Sequence, residues 1–145
     1  MTRIMSVAQT PPTSVSPEAS VLEAVEAMAR DRVGAVLALA GEKLEGIFTE
    51  RDVMMKVVLQ KLDPAKTPIS TVMTRNVLTI APDLSEEEAL ALMLEHHIRH
   101  LPVQGDRGAI VGIVSIRNVL QDRCEHLEQE VDSLVAYMGA DGPGG

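Results

Sequence analysis

The chain has 145 residues, 46% of them apolar, which suits one compact unit with a hydrophobic core. Its formal charge of −8, with one Phe, one Tyr and no Trp, argues against nucleic-acid binding, which needs clustered cations or aromatic stacking platforms. No apolar run approaches the roughly 18 residues of a membrane span, so we expect no membrane partner. The first residues lack the apolar stretch of a secretory signal, and Cys124 is the only cysteine, so no internal disulfide can form. We therefore expect a cytoplasmic protein.

The first predicted elements are a short strand at Thr13–Val15 and a capped helix. Ser20 lies three residues before Glu23, the spacing of a capping box, and small or apolar residues follow at helical spacing. The stretches "AVLALA" and "LEGIF" then predict two buried strands joined by a turn that contains glycine. The stretch "GIFTERDVMMKV" leads from the second of them into another helix.

The second half of the chain repeats this order. Pro17 corresponds to Pro82 at an offset of 65, and Gly46 corresponds to Gly112 at an offset of 66. The repeated elements are a strand at Asn76–Ile80, a helix capped by "SEEE", the strands "HLPVQ" and "AIVGIV", and a long last helix. Strands that are apolar at consecutive positions and separated by helices predict an α/β fold with both sheet faces covered.

We therefore predict two tandem repeats, each strand-helix-strand-strand-helix, related by pseudo-twofold symmetry. The predicted divisions are repeat 1 with its N-terminal segment at 1–62, a proline-containing linker at 63–68, repeat 2 with an extended C-terminal helix at 69–138, and a disordered tail at 139–145.

The junction between the third strand and the second helix has two interpretations. Thr49 and Asp52 have the spacing of an N-cap hydroxyl and an N3 acid, which stabilise a helix start by about 1 kcal/mol. The same helix start favours an anion, so Thr49 could bind a phosphate while Asp52 accepts hydrogen bonds from a ribose. In the second copy Ser115 matches the hydroxyl, but Asn118 replaces the acid and lacks its charge.

The chain resembles the CBS (cystathionine β-synthase) domain pairs, also called Bateman modules. The resemblance is carried by the capped helices, "IRHLPV", "GIFTERDV" and "GIVSIRNVL", in the same order twice over nearly the whole chain. It implies two clefts that bind adenosine-containing ligands, and a homodimer of pairs like the small stand-alone bacterial members. No catalytic Ser, His and acid set is evident, so we expect a non-enzymatic module.

The resemblance also implies which residues bind the ligand. It assigns the phosphate and ribose contacts to the two junctions, and basic phosphate contacts to the positions of Arg99 and His100. It assigns the adenine edge to backbone in the strands before the capped helices, with the Asp52 junction sharing a ligand with Asn76–Ile80 and the Ser115 junction sharing one with Thr13–Val15. The predicted site residues are Thr13, Val15, Thr49, Arg51, Asp52, Asn76, Val77, Thr79, Ile80, Arg99, His100, Ser115, Arg117 and Asn118.

The expected ligand is AMP, ADP, ATP or NAD, with S-adenosylmethionine less favoured. We predict that the module transmits ligand occupancy to its own dimer or to an unidentified protein target. The alternative is a structural homodimer or adaptor without a physiological nucleotide. A metal site at His96, His97 and His100 is disfavoured, because no cysteine or carboxylate completes a recognisable ligand set.

The last helix carries apolar residues at alternating spacings of four and three, which is the heptad pattern of a coiled-coil seam. This seam consists of Leu120, Cys124, Leu127, Val131, Leu134 and Met138. Two interpretations remain open, since the seam is too short for a firm coiled-coil prediction. It packs against its own module, or it packs against a second subunit.

Overall fold

The computed structural model describes residues 3–141 and confirms an α/β fold built from two repeats. The elements of the first repeat are β1 Ser14–Val15, α1 Val21–Asp31, β2 Ala35–Ala40, β3 Lys43–Thr49 and α2 Glu50–Asp52, which continues as a π-helix, Val53–Val58. Those of the second are α3 Glu86–His96, β4 His100–Gln104, β5 Ile110–Ser115 and α4 Ile116–Asp141. Short 3-10 turns, Ile4–Ser6 and Ile69–Thr71, precede the two repeats.

The two sheets have the same pairing but different sizes. In the first, β1 runs parallel to β2, which is antiparallel to β3. In the second, β4 is antiparallel to β5, and the predicted strand at Asn76–Ile80 is reduced to one bridge between Ile80 and Val103. The prediction of a full strand there is wrong.

A proline in β4 explains the missing strand. In the first sheet the amide of Leu37 donates to the carbonyl of Thr13 at 3.0 Å. The positions 65 residues later are Pro102 and Leu78, and proline has no amide hydrogen to donate. The ladder therefore keeps only the bonds on either side of Ile80, whose amide donates to Pro102 and whose carbonyl accepts from Gln104.

The helix caps were predicted at the right residues, but the reciprocal capping box lies elsewhere. The hydroxyls of Ser20 and Ser85 accept from the amides of Glu23 and Glu88 at 3.1 and 3.2 Å. The complete box, with both bonds present, is instead at Thr49 and α2.

Each repeat is completed by a segment that precedes the other one. Ile4 is fully buried in the core of the second repeat, and Ile69 is fully buried in the core of the first. Further along, the backbone of Gln9 pairs with Ile113, and the backbone of Thr74 pairs with Ile47. Because these pairs are related by offsets of 65 and 66, the pseudo-twofold symmetry includes an exchange of segments between the repeats.

A third apolar cluster joins the two sheets. The side chains of β2 and β3 alternate, so that Val36 and Phe48 face the helices of the first repeat while Leu37 and Ile47 face the other way. The second group packs with Ile113 of β5. The repeats thus meet through their sheets, which leaves the helices on the outside.

Helix α4 ends at Asp141, beyond the Met138 at which the predicted helix stops. The predicted tail therefore does not begin at Gly139, because the helix continues through it, and residues 142–145 lie outside the described part. Every residue from Cys124 to Gly139 is exposed. The interpretation that the heptad seam packs on its own module is accordingly wrong for all of it beyond Leu120.

Candidate ligand-binding cleft

A cleft of about 570 Å³ opens between the repeats at the N-terminus of α4. The first repeat contributes the turn after α1, the start of β2 and Glu50. The second contributes the start of β4 and the junction between β5 and α4, where Ser115 and Asn118 lie. Gln9, from the exchanged N-terminal segment, lies in the wall between them.

The cleft is cationic although the chain is strongly acidic. Arg32, Arg99 and Arg117 line it together with one carboxylate, Glu50, so its formal charge is 3 − 1 = +2 with His100 neutral. The whole chain carries −8. Three guanidinium groups around one opening concentrate positive potential there, which favours an anionic ligand.

The N-terminus of α4 adds to this potential. The hydroxyl of Ser115 accepts from the amide of Asn118 at 3.1 Å, and so caps the helix. The side-chain amide of Asn118 donates to the carbonyl of Val7 at 3.3 Å, which ties the junction to the N-terminal segment. A helix of 26 residues directs its positive dipole end and its first amide groups at this point.

Glu50 of the first repeat and His100 of the second both line the cleft and interact electrostatically. The Glu50 amide donates to the carbonyl of Gly34 at 3.0 Å, and a Cβ at Gly34 would lie 3.1 Å from Glu50 Oε1. Glycine therefore leaves room for the carboxylate inside the cleft. Burial lowers the pKa of His100; Glu50 opposes this effect and Arg99 adds to it.

The junction of the first repeat is occupied by its own capping interactions. Asp52 Oδ2 accepts from the Thr49 amide at 3.0 Å, and Thr49 Oγ1 accepts from the Asp52 amide at 3.2 Å. Asp52 Oδ1 lies 3.3 Å from Lys56 Nζ. Neither residue lines the cleft, and Arg51 is exposed on α2 outside it.

The predicted pairing of the two junctions with the adenine strands differs from the observed lining. Thr13 is buried and donates from its hydroxyl to Asp31 Oδ2 at 2.6 Å, while Gln9 Nε2 donates to that hydroxyl at 2.9 Å. Gln9 therefore lines the cleft where Thr13–Val15 was expected, and no residue of Thr13–Val15 lines it. Of the segment Asn76–Ile80, Val77 packs into the cluster between the sheets, and none lines the cleft.

The predicted residues that the structure brings together are Arg99, His100, Ser115, Arg117 and Asn118. The polar lining residues that were not predicted are Gln9, Arg32, Glu50 and Gln121. Arg32 ends α1 in the left-handed conformation, with φ 56°, as His97 ends α3 with φ 55°. The offset of 65 between the repeats relates these two positions. Neither is a glycine, the residue that usually marks a left-handed helix end, so nothing in the sequence signals that a helix ends at either one.

Family comparison assigns both halves of the chain. The model of the CBS domain matches residues 4–59 and again residues 69–123. The chain belongs to the CBS domain family. Both matches begin at the exchanged 3-10 turns, before the first strand of each repeat.

Two curated relatives match this chain over different shares of their own length. CBS domain-containing protein YhcV of Bacillus subtilis is 34% identical over 116 residues, which cover 80% of this chain and 81% of the relative. CBS domain-containing protein CBSX3, mitochondrial, of Arabidopsis thaliana is 34% identical over 124 residues, 82% of this chain. The match spans only 60% of the plant protein.

Two solved structures with this fold contain adenosine compounds. The CBS domain protein PAE2072 from Pyrobaculum aerophilum, complexed with AMP, has a TM-score of 0.77 and 27% identity, over 89% of this chain and 98% of that one. The CBS domain pair of protein MJ0100, in complex with 5′-methylthioadenosine and S-adenosyl-L-methionine, has a TM-score of 0.79 and 25% identity, over 87% and 98%.

Two further findings concern residues 3–141. No helix there combines the length and hydropathy that a membrane crossing requires. No group of three or more His, Cys, Asp or Glu side chains in that range could hold a metal ion. His96 lies in α3, His97 ends it, and His100 begins β4, so the three histidines belong to different local structures.

Proposed function

We propose that this protein is a non-catalytic sensor that binds an adenine nucleotide in the cleft at Ser115. The observation that carries the proposal is the cationic opening at the N-terminus of α4, formed by Arg32, Arg99 and Arg117 in an acidic chain. It suits a ligand with phosphate groups, which are bound by guanidinium groups and helix amides. The AMP complex of PAE2072 supports an adenosine ligand.

Within this class, AMP, ADP, ATP and NAD fit the cleft better than S-adenosylmethionine. The first four carry phosphate, whereas S-adenosylmethionine carries a sulfonium cation, which the three arginines would repel. Because MJ0100 was solved in complex with S-adenosylmethionine, that compound is included in the panel of ligands to be tested. Glu50, the one lining carboxylate, is the group that could accept hydrogen bonds from the ligand's hydroxyl or amino groups.

We also propose that the protein acts as a homodimer in the cytoplasm and passes ligand occupancy to its partner subunit or to a protein target. Apolar side chains on the outer helices support the dimer, since Met54, Val58, Leu59 and Leu94 are 54 to 62% exposed. Met54 and Val58 lie on the π-helix after α2, Leu59 directly follows it, and Leu94 lies on α3. The adaptor alternative shares this surface but requires no nucleotide.

The test uses two arginines at equivalent positions of the two repeats. Arg117 lines the cleft, whereas Arg51, 66 residues earlier, does not; both are exposed and both follow the junction hydroxyl by two positions. Affinities of wild type, Arg117→Ala and Arg51→Ala for AMP, ADP, ATP, NAD and S-adenosylmethionine would be measured by calorimetry. Both variants remove one positive charge, so general electrostatics are matched.

At least one nucleotide is expected to bind, and Arg117→Ala is expected to weaken it about tenfold through loss of a charge-assisted hydrogen bond. Arg51→Ala should change the affinity less than twofold. Equal weakening by both variants would place the ligand elsewhere. No binding of any compound at millimolar concentration would favour the adaptor.

A further inference from the structure

The C-terminal part of α4 has no support from its own fold. The last side-chain bond from α4 to the body joins Arg123 Nη1 to Glu87 Oε1 at 2.9 Å. After Arg123, sixteen consecutive positions, 124–139, are exposed, a length of about 24 Å at 1.5 Å per residue. An isolated helix of that length is marginal in water, so a partner is needed to hold it.

One face of this helix is apolar at the spacing of a coiled coil. The d positions hold Leu120, Leu127 and Leu134, and the a positions hold Cys124, Val131 and Met138. The leucines are 47 to 61% exposed, and Val131 and Met138 are 56% and 68% exposed. Elsewhere in the described residues, the large apolar side chains that are more than half exposed lie on or directly after shorter helices, whereas this face spans nearly three heptads.

We infer that α4 pairs with α4 of a second copy as a parallel, in-register two-stranded coiled coil. In that alignment the leucines at d meet one another, and Val131 at a meets its own copy; leucine at d with a β-branched residue at a favours parallel pairs. The inference rests on the homodimer proposed above and adds to it a second contact surface, on the C-terminal part of α4.

The charges beside the seam complement one another in the parallel alignment. The g residue Arg123 lies opposite the e residue Glu128 of the partner subunit, five positions further along, and the pair occurs twice. Arg123 has five N–H donors, so it can keep its bond to Glu87. The next such pair joins Glu130 to Val135 of the partner subunit, which brings no like charges together.

An antiparallel alignment of the whole seam is less favourable. It would place g residues opposite g residues and e residues opposite e residues. Glu130 would then face Glu130 of the partner subunit, and Glu128 would face Glu128 of the partner subunit. Like charges at such positions repel, so the flanking residues select the parallel arrangement.

The first experiment compares two glutamate variants of the full chain by sedimentation velocity. Leu134→Glu places a charge at d, and Gln129→Glu places the same charge at f, on the opposite side of the helix. We expect Leu134→Glu to raise the dimer dissociation constant at least tenfold, while Gln129→Glu stays within twofold of wild type. A dimer equally strong in both variants would overturn the seam but leave the homodimer intact. A monomeric wild type at tens of micromolar would overturn both.

The second experiment tests direction with single cysteines near the two ends of the exposed seam. Wild type carries Cys124 alone, and Cys124→Ser combined with Met138→Cys moves the thiol two heptads along. In the parallel register each thiol meets its own copy, so both proteins should form a disulfide-linked dimer on oxidation. In the antiparallel register neither does. A crosslink at neither position, or at only one, would overturn the in-register pairing.

Discussion

The two repeats fold alike, yet their junctions differ: Ser115 and Asn118 line the cleft described above, whereas Thr49 and Asp52 do not. Thr49 and Asp52 bond each other reciprocally and Asp52 adds an ion pair to Lys56, so the first junction satisfies itself. Ser115 has only half of that box, and Asn118 turns its amide to the N-terminal segment. The acid that makes the first junction look more like a ribose site also makes it the better helix cap.

The two repeats also differ at the first residue of their capped helices, which is apolar in one and acidic in the other. Val21 begins α1 and is fully buried, and its counterpart Glu86 begins α3 and is 1% exposed. Neither carboxyl oxygen of Glu86 has a hydrogen-bond partner, and Asp122 of α4 lies beside it. Burial first, and then Asp122, raises the pKa of Glu86 to about 7.

The largest expected effect follows from exchanging this residue for its counterpart. Because the folded pKa of about 7 exceeds the ordinary value of 4.5, the stability that protonated Glu86 contributes is present below pH 4.5 and is lost as the pH rises through 7. The difference corresponds to about 3 kcal/mol. Glu86→Val should therefore be more stable than wild type at pH 8, by up to about this amount.

Chemical denaturation at pH 5, 6, 7 and 8 measures this effect. The free energy of unfolding of wild type should fall across the series, and that of Glu86→Val should fall much less. Val21→Thr, which adds a polar atom to the equivalent site without a titrating group, serves as control and should not change the pH slope. Parallel pH profiles for wild type and Glu86→Val would show that Glu86 is charged throughout.

The second effect concerns the exchanged segments, which approach one glycine in each repeat. A Cβ at Gly46 would lie 2.7 Å from Met73 Sδ and 2.8 Å from the Thr74 carbonyl oxygen. At Gly112 the nearest atoms are the Gln9 carbonyl oxygen at 3.0 Å and Thr10 Cγ2 at 3.1 Å. Gly46→Ala should lower the free energy of unfolding by about 1–3 kcal/mol, and Gly112→Ala by less.

Urea denaturation of both variants measures this difference. The slope of the transition should stay unchanged, since the surface exposed on unfolding is the same. If Gly112→Ala proves the more damaging, the N-terminal segment is held more tightly than the segment at Met73 and Thr74.

The helix starts and most of the strands were predictable because their signals in the sequence are local. The serine caps at Ser20 and Ser85 and the alternation of apolar residues depend on neighbours within a few positions. The strand at Asn76–Ile80 failed because its pairing depends on a distant residue, Pro102. The exchanged segments were missed for the same reason, although Ile4 and Ile69 share the offset of 65 found elsewhere in the repeat.

The cleft is lined by only some of the predicted site residues, and its other lining residues depend on long-range packing. The predicted residues that line it are Arg99, His100, Ser115, Arg117 and Asn118, which lie at the start of β4 or at the junction of β5 and α4. The sequence does not show that Gln9 would fill the wall in place of Thr13, because that depends on where the N-terminal segment packs. Nor does the sequence show whether the junction of Thr49 and Asp52 caps a helix or binds a ligand, because both roles need the same residue types at the same spacing.

The smallest expected effect tests that choice directly. Asp52→Ala removes the bond to the Thr49 amide and the ion pair to Lys56, so it should lower the free energy of unfolding by about 1 kcal/mol, a fall in Tm of a few degrees. Since Asp52 does not line the cleft, nucleotide affinity should stay within twofold of wild type. Thermal unfolding and calorimetry with the best nucleotide of the panel give the two readings.

Asn118→Ala is the matched variant at the second junction. It removes a side chain that lines the cleft and bonds Val7, so affinity should fall more than it does in Asp52→Ala, while Tm falls less. Asn118→Asp separates capping from binding, because the new acid could complete the box with Ser115 and would then be unavailable to the ligand. It should raise Tm and leave affinity unchanged or weaker. If Asp52→Ala instead weakens the nucleotide tenfold at an unchanged Tm, the first junction is the ribose site and its capping box opens when the ligand binds.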